Sequence, residues 1–145
     1  MKATLICCLI IAMIIGGCTQ EKSFKIEGTW KVVSWQNYAG DSLKWKLGKE
    51  YYGNEMKIWS KDHFAFVGRY KHDTTFIDNC GGGSYKINDT RYEESYLYFP
   101  DQKLVGTTRK VLLEIKNDTL TQTWPVDENW KVVKNGYNVQ KLIRF

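Results

Sequence analysis

A carboxylate lies among tyrosines in a stretch of the chain that alternates with a period of two. On one side of a strand predicted over residues 91–99 the alternate positions are Tyr92, Glu94, Tyr96 and Tyr98. If this side faces a protein interior, Glu94 is costly to bury alone, so we expect it to be protonated or paired with Arg69, Lys141 or a ligand cation. Two roles stay open. Glu94 anchors the hydroxyl or amine of a ligand, or it is a structural acid that bonds a backbone group or a neighbouring tyrosine.

The other reactive residues do not form a recognisable catalytic or metal-binding set. His63, His72 and Cys80 lack the spacing of metal ligands, and Cys80 has no histidine beside it in the sequence. The glycines at residues 81–83 would need a following helix to hold a phosphate, and a strand is predicted there instead. We therefore expect no metal, no cofactor and no enzymatic activity. Were the protein an enzyme, Glu94 with a tyrosine would be the acid–base pair.

The first 18 residues predict export and lipid attachment. Lys2 precedes an apolar run over residues 5–15, which has the length of a signal peptide and is too short to span a bilayer comfortably. The segment Ile15-Gly16-Gly17-Cys18 follows and resembles a bacterial lipobox, in which small residues precede the cysteine that receives a diacylglyceryl group. The mature protein would then begin at an acylated cysteine that carries chains such as palmitate.

The predicted lipidation site also sets the location and the division of the chain. Several acyl chains on Cys18 would attach the protein durably to a membrane. Thr19 follows where an Asp would mark inner-membrane retention, so we expect the outer membrane of a bacterial envelope. The predicted units are a signal peptide over residues 1–17, a lipidated tether over 18–26 and one domain over 27–145.

Composition limits the class of protein. The net charge of +5 is spread over charges that alternate in sign, with no basic block, so we expect no nucleic-acid partner. With Cys18 committed to lipid, Cys80 has no intrachain partner, and the fold must rest on packing rather than on disulfides. Nine Tyr, six Trp and six Phe beside only two Pro indicate a β-rich domain with an aromatic interior.

Period-two segments recur along the domain, and none has the 3.6-residue period of a helix. Strands are predicted over residues 28–38, 55–59, 62–71, 82–87, 91–99, 110–116, 119–126 and 139–145. Residues 39–54 are predicted to be a long loop or a short helix, and residues 72–80 a second long connection. The dipeptides Asn88-Asp89 and Asn117-Asp118 indicate tight turns. The predicted fold class is therefore all-β: one antiparallel, eight-stranded, up-and-down barrel.

Two sets of motifs carry a resemblance to lipocalins. Gly28-Thr29-Trp30 at the start of the first strand resembles the lipocalin Gly-x-Trp signature, and Arg144 lies in the last strand. The resemblance implies that Gly28, Trp30 and Arg144 close the barrel floor, with the guanidinium across the indole ring. Four further segments are similar to a group of lipocalin-like domains of Bacteroidetes-type secreted or lipid-anchored proteins of unknown function: His63-Phe64-Ala65-Phe66-Val67, Gly81-Gly82-Gly83-Ser84-Tyr85, Tyr92-Glu93-Glu94 and Asn117-Asp118-Thr119-Leu120-Thr121-Gln122.

A barrel of this kind predicts a binding protein that holds one small apolar or amphipathic ligand. The residues predicted to line the ligand site are Tyr38, Met56, Ile58, Phe64, Phe66, Tyr85, Glu94, Tyr96, Gln122 and Trp124. One alternative is a protein-interaction or inhibitor domain with a filled core, whose contacts would come from residues 39–54 and 126–137. The second alternative is a small barrel enzyme that uses Glu94. The lysine-rich stretch over residues 44–49 departs from the similar domains, and it leaves any shared ligand open.

Overall fold

The computed structural model describes residues 25–145, which fold into nine β-strands and contain no helix that could cross a membrane. The strands are β1 (Gly28–Ala39), β2 (Ser42–Lys46), β3 (Tyr52–Trp59), β4 (His63–His72), β5 (Thr75–Asn88), β6 (Arg91–Tyr98), β7 (Thr108–Lys116), β8 (Thr119–Trp124) and β9 (Tyr137–Arg144). The predicted signal peptide and Cys18 lie outside the described residues, as does most of the tether.

The strands close into an antiparallel barrel. From β3 to β9 each strand pairs with the next, and β9 returns to pair with β1 along nearly its whole length. The first half of β1 pairs with β3, whereas its second half pairs with β2. The predicted eight-stranded, all-β barrel is therefore confirmed, and β2 is an extra strand at one end of it.

Tight turns join most of the strands. Both Asn117 and Asp118 have positive φ, at 49° and 59°, as a two-residue turn between twisted strands requires.

The two long connections predicted from the sequence are wrong. Gly40, at φ 60°, turns the chain from β1 into β2, and Asp73, at φ 53°, turns β4 directly into β5. Small and acidic residues favour these conformations, so polar composition there marks turns rather than loops.

Trp30 closes one end of the barrel. Its indole is 1% exposed, and its Nε1 donates to the carbonyl of Ile26 at 2.8 Å. The guanidinium of Arg144 lies 4.4 Å from the centroid of the Trp30 ring and donates to the carbonyls of Glu27 and Lys25, at 2.8 and 3.2 Å. The apolar layer above this closure consists of Val32, Trp59, Tyr85, Tyr92, Val111, Leu113, Leu120 and Leu142.

The absence of a side chain at Gly28 makes this closure possible. A Cβ on Gly28 would lie 2.7 Å from Nη1 of Arg144, and the φ of this residue is 122°. Glycine alone adopts such a φ without strain while it also leaves room for the guanidinium. The end of the barrel that holds Trp30 is called the closed end below, and the opposite end is called the open end.

A β-bulge in β1 changes which side chains face the interior. The pairing with β9 skips Val33, which is 47% exposed. Beyond the bulge Trp35 faces inward and packs against Tyr70 and Trp124, with ring centroids 5.6 and 5.9 Å apart. The prediction that Tyr38 lines the interior is wrong, because the extra residue moves Tyr38 to the outer side of the strand.

A second bulge lies in β6. Gly83 pairs with Tyr96 and Gly82 with Tyr98, so Leu97 is the extra residue. As a result Tyr96 is 2% exposed and faces inward, whereas Tyr98 is 75% exposed and faces outward. The predicted shared face of the β6 tyrosines therefore ends at Tyr96.

The inward face of β3 is charged rather than apolar. Glu55, Lys57 and Trp59 are 2, 6 and 2% exposed, whereas Ile58 is 42% exposed. Met56 and Ile58 therefore lie on the outer side, and the prediction that they line the interior is wrong. The prediction placed the apolar residues of this strand inside the barrel and its charged residues outside. Glu55 and Lys57 can instead be buried because other residues, distant in sequence, bond to them.

Candidate functional site

A layer of buried polar side chains crosses the middle of the barrel. Its most buried members, each at most 6% exposed, are Glu55, Lys57, Glu94, Gln122 and Gln140. Lys57 donates from Nζ to Oε1 of Gln122 at 2.8 Å, and the same Nζ lies 3.7 Å from Oε1 of Glu55. Burial lowers the pKa of Lys57, and the attraction of Glu55 and Glu94 opposes that shift.

Glu94 is held by charge and by hydrogen bonds. Its Oε1 accepts hydrogen bonds from the hydroxyl of Tyr96 and from Nη2 of Arg109, and it lies 2.6 Å from Nε of Arg109. Burial alone would raise the pKa of Glu94, but Arg109 and Lys57 together bring it below its ordinary value. The structure thus gives Glu94 the partners of a structural acid.

The partners predicted for Glu94 are different ones. Arg69 faces outward and pairs with Asp78, with Nε 2.5 Å from Oδ1. Lys141 lies on the exposed side of β9. The sequence could not indicate Arg109, because it lies on β7 and meets Glu94 only through the pairing of β6 with β7.

A cavity of about 180 Å³ lies at the open end, above the polar layer. It reaches solvent, since Ile77 on its wall is 42% exposed. The side chains that line the cavity come from β1, β2, β4 and β5 and from the segment between β2 and β3. They are Trp35, Trp45, Leu47, Tyr51, Tyr70, Ile77 and Asn79.

Four aromatic rings form the walls of this cavity. The ring of Trp35 meets Trp45 at 5.3 Å and 64°, and it meets Tyr70 at 5.6 Å and 71°. Trp45 meets Tyr51 at 4.9 Å and 54°, and Tyr51 in turn stacks on His72 at 4.6 Å. Rings inclined in this way support one another edge to face, so the aromatic wall is held by its own contacts.

The floor of the cavity is bonded to a carboxylate. Tyr70 donates from its hydroxyl to Oε2 of Glu55 at 3.1 Å, and Asn79 donates from Nδ2 to the same oxygen at 2.5 Å. Gln140 donates to Oε1 of Glu55 at 3.4 Å, and within residues 25–145 its own Oε1 has no hydrogen-bond partner. Burial and the adjacent Glu55 raise the pKa of Tyr70, so its hydroxyl stays protonated and acts as a donor.

The predicted site residues do not line this cavity. Gly28, Trp30 and Arg144 lie at the closed end. Tyr38, Met56 and Ile58 lie on the outer side, where Tyr38 stacks on Tyr137 at 5.1 Å. The remaining predicted residues are buried and fill the interior below the cavity: Phe64, Phe66, Tyr85, Glu94, Tyr96, Gln122 and Trp124. The lower interior is therefore a packed core, and the cavity lies toward the open end.

Sequence reasoning missed the cavity because it assigned five of the seven lining residues to loops. Trp45 lies on β2, within the predicted loop over residues 39–54, and Asn79 lies on β5, within the predicted connection over residues 72–80. The Gly40-Asp41 dipeptide between two runs of strand-forming residues was a signal for a hairpin. It would have placed Trp35 and Trp45 on adjacent strands.

A shallow groove of about 630 Å³ lies outside the barrel, across β4, β5 and β6. It follows the glycines at residues 81–83, which leave the backbone uncovered, and exposed Leu97 and Tyr98 border it. Cys80 lies there as a free, exposed thiol. Among residues 25–145, no three His, Cys, Asp or Glu side chains are grouped as a metal site would require.

Comparison of the chain with protein-family models, with curated proteins and with solved structures finds no match in any of the three. The strand pairing and the cavity by themselves define the class of protein: a closed antiparallel β-barrel with an aromatic cavity at its open end. The resemblance to lipocalin-like domains stays a prediction from the sequence motifs.

Proposed function

We propose that this protein is a lipid-anchored binding protein of the bacterial envelope, attached to the outer membrane through Cys18, and that it holds a small apolar or amphipathic ligand. The observation that carries the binding role is the aromatic cavity at the open end, of about 180 Å³. The anchor rests on the sequence pattern of residues 1–18, which lie outside the described part of the chain.

The size of the cavity limits what it can enclose. An apolar cavity of about 150 Å³ holds one benzene molecule, whereas sites for drug-sized ligands usually span roughly 300–1,000 Å³. The cavity therefore suits a compact group of benzene size, with any larger part of the ligand extending into solvent past Ile77. Binding would come mainly from apolar burial, at roughly 25 cal/mol per Å² before the costs of association.

Tryptophan fluorescence tests the proposal, because Trp35 and Trp45 both line the cavity. The purified domain is titrated with indole, benzene derivatives, short-chain lipids and bile acids, and at least one class is expected to quench or shift the emission at saturation. Trp45→Ala removes one wall and should weaken that binding at least tenfold.

Leu43→Ala is the matched control. Leu43 lies on the same strand, is 46% exposed and does not line the cavity, so this variant should bind as the native protein does. Saturable binding that Trp45→Ala leaves unchanged would place the ligand elsewhere, and a lack of response to every class would count against the binding role.

A further inference from the structure

The aromatic walls of the cavity are suited to a positive charge that carries no hydrogen-bond donors. We propose that the cavity is an aromatic cage for a quaternary ammonium group, which names the ligand class and rests on the proposed function. The faces of Trp and Tyr rings attract cations within about 6 Å of the ring centroid, and trimethylammonium compounds are the ligands for which such cages are best suited.

The carboxylate beneath the floor adds to this attraction. Glu55 is 2% exposed and accepts hydrogen bonds from both Tyr70 and Asn79. Donation to a carboxylate makes the Tyr70 ring more electron-rich, which strengthens its face as a cation site. The buried cation nearest to Glu55 is Lys57, whose Nζ lies over Phe66 and Trp124, at 5.7 Å from each centroid, and not over a ring of the cage.

Other ligand chemistries fit the lining less well. An anion or a sugar needs several donors, but Tyr70 and Asn79 donate to Glu55, and Trp35 donates from Nε1 to Asn138 at 3.1 Å. The indole of Trp45 and the hydroxyl of Tyr51 are the other donors in the lining, which is otherwise aromatic and aliphatic. A primary ammonium would need three acceptors, and the lining has no carboxylate and a single amide. A quaternary ammonium group has a charge to stabilise and no hydrogen bonds to satisfy.

The lysines near the open end do not enter the cage. Lys44, the extra residue of a bulge in β2, and Lys46 are both exposed, and neither side chain lines the cavity. Lys49 forms an ion pair with Glu50, with the charged atoms 3.1 Å apart. The positive charges of this stretch therefore lie outside the lining.

The test compares three probes of one shape by isothermal titration calorimetry on the purified domain. They are choline, its neutral isostere with a tert-butyl group in place of trimethylammonium, and the matching tert-butyl carboxylate. Choline should bind about tenfold more tightly than the neutral isostere, and the carboxylate should bind most weakly. Tyr70→Phe keeps the ring but loses the link to Glu55, so it should narrow the preference for choline while it leaves binding of the neutral isostere unchanged.

The outcomes separate the two proposals. Equal binding of choline and the neutral isostere, or tighter binding of the carboxylate, would overturn the cage and leave the binding role standing. The cage would also be overturned if none of these probes bound but an apolar compound still quenched Trp35 and Trp45. If no compound of either series bound, both proposals would fail. Phe76→Leu serves as the control variant, because Phe76 is 65% exposed on the outer side and should not affect any probe.

Discussion

Glu94 and Arg109 form an ion pair in which the carboxylate is buried and the guanidinium is one third exposed. Glu94 is 3% exposed, and the guanidinium of Arg109 also covers the rings of Tyr96 and Trp124, at 5.2 and 5.1 Å from their centroids. Such a pair gives little net stability, because Glu94 loses its hydration and Arg109 loses much of its own. Loss of one partner is far worse, since the other ion then remains buried and uncompensated.

Arg109→Ala should therefore lower the free energy of unfolding by about 3 kcal/mol, because it leaves the buried carboxylate of Glu94 without its arginine. Urea denaturation followed by far-UV circular dichroism measures the change. Arg69→Ala is the matched control, because Arg69 also pairs with a carboxylate but does so at the exposed surface, where it should change stability far less. Equal effects of the two substitutions would contradict the buried position of Glu94.

The lowered pKa of Glu94 predicts a loss of stability in acid. The ordinary value is 4.5, and the folded protein holds the pKa below it, so the folded state releases this proton more readily than the unfolded state does. The contribution of Glu94 is then complete above pH 4.5 and disappears as the pH falls through the lower, folded value. Urea unfolding measured from pH 6 to pH 3 should show this fall, and it should be shallower in Glu94→Gln.

Glu93→Gln is the control for this experiment. Glu93 is the neighbour of Glu94 on the opposite side of β6, and its removal should leave the acid-dependent fall in place. An identical pH dependence in Glu94→Gln and the native protein would mean that Glu94 does not carry the effect.

At the scale of the strands, the alternation of the sequence predicted most of the strands of the barrel. It did not always predict which side of a strand faces the interior. The strands from β4 to β9 have the predicted order, and Glu94, Gln122 and Trp124 face inward as their alternation indicated. The phase was wrong beyond the bulges at Val33 and Leu97, and it was also wrong along β3, which has no bulge but buries charged residues. Bulges depend on local backbone fit between two strands, which a period-two pattern does not record.

The bulge in β6 depends on the absence of a side chain at Gly83, where the backbones of β5 and β6 come close together. A Cβ at Gly83 would lie 1.9 Å from the carbonyl oxygen of Ser95 and 2.9 Å from the amide nitrogen of Leu97, and neither backbone atom can rotate away. Gly83→Ala must therefore separate β5 from β6, and it should lower the free energy of unfolding by about 3 kcal/mol. Thermal or urea unfolding measures it.

Gly136→Ala provides the comparison. No atom lies within 4 Å of the Cβ position at Gly136 outside its own neighbours, and its φ is not positive, so the change should stay within about 0.5 kcal/mol. A Gly83→Ala protein as stable as this control would show that the two strands are not so closely paired.

At the scale of the whole molecule, the barrel has two ends of different construction. The closed end is sealed by Trp30 and Arg144, and the sequence motifs indicated this closure. The open end holds the cavity, and most of its lining residues lie in segments predicted from the sequence to be loops. The closure was predictable because one local motif carries it, whereas the cavity is assembled from four strands and the segment between β2 and β3, whose pairing no local pattern specifies.

The proposed lipid anchor belongs to this scale, because it decides where the barrel is held. In cells fed a labelled palmitate analogue, the native protein should carry the label and sediment with the outer membrane. Cys18→Ser should abolish both the label and the sedimentation. Cys80→Ser is the matched control, because it removes the exposed thiol of the barrel and should leave both unchanged. Label retained in Cys18→Ser would contradict the assignment of Cys18 as the lipidation site.

The most direct test of the binding role follows the tryptophan indole N–H signals by NMR while choline and its neutral isostere are added in turn. Trp35 and Trp45 line the cavity, whereas Trp30 and Trp59 lie buried toward the closed end. The account predicts saturable shifts at Trp35 and Trp45, larger for choline, with little change at Trp30 and Trp59. Signals of Trp35 and Trp45 that stay fixed with both compounds, or shifts confined to Trp30 and Trp59, would contradict a binding site at the open end.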